Sequence, residues 1–116
     1  MKFALCNEVF QEMSIKDGFS KIAEIGYQGV EIAPFTLKDN PLEINEEDAE
    51  CCLEAAKSSG IEIVGLHWLM AKSEGLHLTS SDQGMRNAAC EYLQRLANLT
   101  GQMGGSIMVL GSPQQR

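Results

Sequence analysis

Glu31 lies within one short apolar run and His67 ends another, and in a strand either side chain meets chemistry more readily than bulk water. Glu31 interrupts Val30-Glu31-Ile32, so with a period of two it projects from the face opposite Val30 and Ile32. A carboxylate placed there orients a hydroxyl or hydrogen-bonds a metal ligand, or else it closes a buried ion pair of purely structural purpose. His67 ends the run Ile61 to His67, and an imidazole at that position can bind a hydroxyl, shuttle a proton near neutral pH, ligate a metal or make a structural hydrogen bond. Trp68 follows it as an apolar wall. Asn7, with Glu8, follows the first apolar run and is a candidate contact or a loop cap.

Other groups invite chemistry less. The run Glu46, Glu47, Asp48 and Glu50 resembles a metal cluster only by composition; at a helix start it reads as charge matched to the helix dipole. His77 falls in a polar stretch and is expected in solvent. Ser112 and Arg116 stand near Gly111 and Pro113, where a hydroxyl and a guanidinium suit a phosphate, or form a frayed terminus. Cys6, Cys51, Cys52 and Cys90 make no C-x-x-C pair, so reduced thiols and a cytoplasmic setting are expected.

The elements that must hold these residues are legible from spacing. Phe3 to Cys6 is a first strand, and Ile15, Phe19 and Ile22 recur on one face of a helix from Ile15 to Ile25 that Gly26 ends. Gly29 opens a strand through Ala33, closed by Pro34. Asn45 caps a second helix carrying Ala49, Cys52, Leu53 and Ala56 on one face, with Gly60 behind it. Strict alternation over Ile61 to His67 puts Ile61, Ile63, Gly65 and His67 on one face and Glu62, Val64 and Leu66 on the other. A loop from Trp68 to Ser81 leads to a third helix, with Met85, Ala89, Tyr92, Leu96 and Leu99 in register before Gly101. Ile107 to Leu110 is a fourth strand.

Strands alternating with helices require parallel pairing and right-handed crossovers, which leaves a doubly wound sheet or a (β/α)8 barrel. No G-x-G-x-x-G or Walker loop supports a nucleotide-binding sheet. The expected fold is therefore α/β, the first half of a (β/α)8 TIM barrel with the order β-α-β-α-β-α-β, an incomplete barrel in a single domain over residues 1–116. Composition, 44% hydrophobic and 22% charged, is that of a globular domain. A net charge of -7 with nine scattered basic residues argues against a nucleic-acid groove. No apolar run has the length of a membrane span or signal peptide, so neither nucleic acid nor membrane is an expected partner.

Gly26-Tyr27-Gln28-Gly29-Val30-Glu31-Ile32, the ending Gly65-Leu66-His67-Trp68, and Gly104-Gly105-Ser106 through Gly111-Ser112-Pro113 together resemble the amino-terminal half of sugar isomerases and epimerases with the xylose-isomerase-like barrel. The resemblance implies proton transfer next to the carbonyl of a sugar or sugar phosphate, assisted by Mn²⁺, Mg²⁺ or Co²⁺. It implies that the metal ligands and the acid/base carboxylates come from outside this chain, which would then be inactive alone. Glu31, His67, Trp68 and Asn7 are the expected substrate-binding residues, with Trp68 against a sugar's C–H face. The family's endonuclease branch, a metal phosphodiesterase, has a zinc-binding histidine at the strand end matching His67. Two non-enzymatic alternatives stand beside these: a half-barrel that pairs through its open sheet edges, as a homodimer for instance, and a small flavodoxin-like binding domain.

Overall fold

Residues 1–111 are described in a computed structural model of the chain; the expectations for Ser112, Pro113 and Arg116 lie outside the described residues. Strands β1 (Ala4–Cys6), β2 (Gly29–Ile32), β3 (Glu62–His67) and β4 (Ile107–Val109) alternate with helices α1 (Ile15–Ile25), α2 (Glu46–Ser59) and α3 (Gln83–Gln102). The strands pair in parallel in the order β1-β2-β3-β4. The helices pack in succession, α1 on α2 and α2 on α3. An order that never reverses has no switch point, so the flavodoxin-like alternative is excluded. The architecture is that of a partial TIM barrel.

Each helix begins where a side chain satisfies a free backbone amide. Ser14 Oγ accepts from Asp17 N–H, Asp82 Oδ1 accepts from Met85 N–H, and Asn45 and Asp48 form a reciprocal capping box that accounts for part of the acidic run. Gly26 and Gly60 end α1 and α2 with left-handed φ of 110° and 70°. The third helix departs from expectation. It runs through Gly101 to Gln102, because a helical glycine costs only about 1 kcal/mol, and the left-handed turn falls instead at Gly104, φ 80°. Gly105 N–H then closes onto Thr100 O.

The core lies on one side of the sheet. Phe19 and Ile22 of α1, Val30 and Ile32 of β2, Ala49, Cys52 and Ala56 of α2, and Ala89, Leu96 and Leu99 of α3 are all buried in one cluster. Leu66 of β3 joins them, and so does Ile63, against strict alternation. The cause is a bulge: Val30 pairs with Ile63, but Glu31 pairs with Gly65, so Val64 is skipped and Ile63 and Leu66 share the helix-facing side. Gly65 and His67 keep the expected face, whereas Ile61 and Ile63 do not. The opposite face is open: Ile107 and Val109, which alternate with the core-packed Met108, are exposed on it.

The four cysteines are unpaired. Burial pushes the Cys52 thiol from 9.0 to about 12, helped by the Asp48 carboxylate, and burial pushes Tyr92 from 10.0 to about 12 against the opposing effect of Arg95. Both groups hold their protons more tightly when folded, so their stabilisation is complete below about pH 9 and is lost as pH rises through the interval from 9 to 12. Thermal melts across this range should show a falling midpoint, and Cys52→Ala should flatten that fall. No helix among the described residues is long and apolar enough to cross a membrane.

Candidate functional site

The carboxyl ends of β1, β2 and β3 bring the candidate residues to one rim. Cys6 pairs with Glu31 across β1–β2, and Glu31 pairs with Gly65 across β2–β3. His67 lies two residues further along β3, and its Nδ1 stands 3.3 Å from Glu31 Oε2, each side chain 29% exposed. The contact is close but off-axis: Nδ1 is buried without an aligned hydrogen bond, so the carboxylate steers the ring by charge more than it fixes a tautomer. A partly wet carboxylate–imidazole pair of this kind can accept from one hydroxyl and exchange hydrogen bonds with its neighbour.

Trp68 is set beside this pair by an unusual backbone. Its φ is 58°, a left-handed conformation that a bulky residue rarely adopts. The next two residues account for it: Leu69 and Met70 turn back into the core, and Tyr92 Oη of α3 donates to Leu69 O at 3.0 Å. With those two inside, the indole is left outside, 39% exposed and edge-on to His67 at 6.2 Å between ring centroids. Phe35, just past β2, tilts against Trp68 at 6.3 Å, and Lys72 Nζ lies 4.7 Å from the centre of the Phe35 ring. Gly111, after β4, approaches the same rings closely enough that a Cβ there would sit 3.4 Å from Trp68 Cδ1.

Phe35 was not foreseen from the sequence. Its signal is an aromatic immediately after the proline that ends β2, a place matching that of Trp68 after β3. Asn7, the candidate contact or loop cap, lies just after β1. It is 4% exposed, and its side chain is occupied within the protein: Oδ1 accepts from Ala33 N–H at 2.9 Å and Nδ2 donates to Thr36 Oγ1 at 2.7 Å. These bonds brace the turn that follows β2. Cys6, near Glu31, has its thiol pushed up chiefly by burial, with the Glu8 and Glu31 charges adding to the effect. His77, expected in solvent, is partly buried.

The donors at the rim do not fit a divalent cation by themselves. Among the described residues no three His, Cys, Asp or Glu side chains come together, and Glu31 with His67 offers two donors where such an ion takes about four to six.

A family model described as xylose isomerase-like TIM barrel matches residues 19–116. The chain belongs to that family. Among solved structures, this xylose isomerase-like chain is similar to a crystal structure of D-psicose 3-epimerase obtained in the presence of D-fructose, with a TM-score of 0.66 and 18% identity. The likeness covers 90% of this chain and 35% of that one, so the chain spans about a third of the length of its structural neighbour, and at this identity the likeness is one of fold. No curated protein matches the sequence.

Proposed function

We propose that the chain forms one wall of a site for a sugar or sugar phosphate, within an isomerase or epimerase that moves a proton next to a carbonyl. The observation that carries this is the meeting of Glu31 and His67 beside an outward-facing Trp68, at the strand ends where barrel enzymes of this kind bind substrate. Glu31 accepts a hydrogen bond from a sugar hydroxyl, His67 exchanges one with the adjacent hydroxyl, and Trp68 with Phe35 covers the apolar C–H face of the ring. Proton abstraction at the carbon next to the carbonyl, and its return to the other face, needs an acid/base pair placed on both sides of that carbon. Glu31 and His67 approach from one side only, so that pair comes from beyond the described residues, as do the ligands of the divalent cation that the family resemblance implies. A phosphodiesterase reading is less well supported, since it rests on a cluster of metal donors and the rim offers two.

A second reading has its own observation. The open face exposes Ile107 and Val109, and among the described residues β1 and β4 each lack one neighbour, so a second copy could close the sheet through those edges without any catalysis. Two measurements on the purified chain separate the readings. Sugar binding is expected to be saturable and to occur in the monomer. Conversion of D-fructose to its C3 epimer, assayed with Mn²⁺, Mg²⁺ or Co²⁺ added, is expected to stay at background. Enzyme-like turnover by the chain alone would defeat the assignment of the acid/base pair elsewhere, and an obligate dimer that ignores sugar would favour the second reading.

A further inference from the structure

Asn7 is almost wholly buried, and both ends of its side-chain amide are engaged on a single neighbouring turn. β1 stops at Cys6, so Ala33, just past β2 and fully buried, has no strand partner for its amide. Asn7 Oδ1 supplies that partner, extending the β1–β2 ladder by one link made from a side chain. Its Nδ2 holds Thr36 Oγ1, and Thr36 Oγ1 in turn donates to Ala33 O at 2.7 Å, with the backbone bond Thr36 N–H to Ala33 O at 3.0 Å alongside. Ala33 and Thr36 bracket Pro34 and Phe35. The backbone that carries the Phe35 ring is thereby tied to the residue that follows β1.

We propose that Asn7 is a positioning residue: it fixes the turn after β2 so that Phe35 meets Trp68, and so sets the shape of the aromatic wall without touching a ligand. The packing arm of this inference stands on the geometry alone, and only the affinity arm rests on the sugar-site reading above. The lever is preorganisation, since a wall already in place needs no ordering when a ligand arrives.

Trp68 is the chain's only tryptophan, which makes intrinsic fluorescence a direct readout of this wall. At a temperature where circular dichroism shows each variant folded, Asn7→Ala is expected to shift Trp68 emission to the red, to raise its quenching by acrylamide, and to weaken D-fructose binding about fivefold. Asn7→Asp keeps the acceptor for Ala33 N–H and should restore most of the native emission. Thr36→Val cuts only the Nδ2 arm and should move emission in the same direction by less, which provides a test should Asn7→Ala fail to fold. A shifted emission in protein that binds no sugar in any form would support the positioning role while sinking the sugar reading. Unchanged emission and quenching in folded Asn7→Ala, or in Thr36→Val, with sugar binding intact, would overturn the positioning role and leave the sugar reading standing.

Discussion

Gly65→Ala is expected to strip β4 from the sheet. A Cβ on Gly65 would overlap Ile107 O and lie 2.7 Å from its carbonyl carbon, both backbone atoms of the neighbouring strand. Neither can rotate away as the tip of a long side chain would. Relief requires the two strands to part, which breaks the Gly65–Ile107 register and threatens the adjacent Ser106 N–H to Val64 O bond. Gly105 shows the same closeness from the other side, since a Cβ there would meet Gly65 Cα at 3.0 Å. The cost should be about 4 kcal/mol or more, at the far end of what single substitutions do. Urea melts would report it as a large drop in midpoint, and hydrogen exchange should show Ile107–Val109 losing protection first. A loss below about 1 kcal/mol would mean that β4 is not seated as described.

The second large effect is on binding. Glu31→Gln and His67→Ala should each weaken D-fructose binding by about tenfold or more, because each alters a group that the proposed site sets against a sugar hydroxyl and leaves its partner to face the ligand alone. Combined, they should cost less than the sum of the two, as expected of side chains 3.3 Å apart that act as a unit. Their effect on stability should be small, about 1 kcal/mol or less, since the pair is partly exposed and screened. That split between affinity and stability is the signature of a binding role. His77→Ala, in the loop after β3, serves as a control and should leave binding unchanged. Calorimetric titration of the unsubstituted chain, the two single variants, the double variant and the His77→Ala control provides both the affinities and their coupling.

The fold was readable in the sequence wherever local signals act alone. Apolar spacing placed α1 over Ile15–Ile25, the Asn45 cap marked where α2 begins, and Gly26 and Gly60 marked two of the three helix ends. Parity places Gly65 and His67 on one face of β3, as observed, but only in part for the right reason. The bulge at Val64 reverses the face of Ile63, and alternation reaches the correct answer for Gly65 and His67 because both lie beyond the bulge. A bulge depends on how two strands fit, and neither strand announces it by itself. Trp68's left-handed backbone is likewise set from outside, by Leu69 and Met70 entering the core under a hydroxyl from α3. Asn7 was singled out as polar and well placed, yet its partners stand 26 and 29 residues along the chain, and no local pattern distinguishes a brace from a contact.

The account's central claim is that the rim formed by Glu31, His67 and Trp68 is where a sugar binds. The most direct test is a D-fructose titration followed by NMR, observing the His67 ring protons together with the Trp68 indole N–H. Both are expected to shift saturably along one binding curve, and both shifts should weaken together in Glu31→Gln. Saturable shifts confined to other parts of the chain, with the His67 and Trp68 signals unmoved, would contradict it.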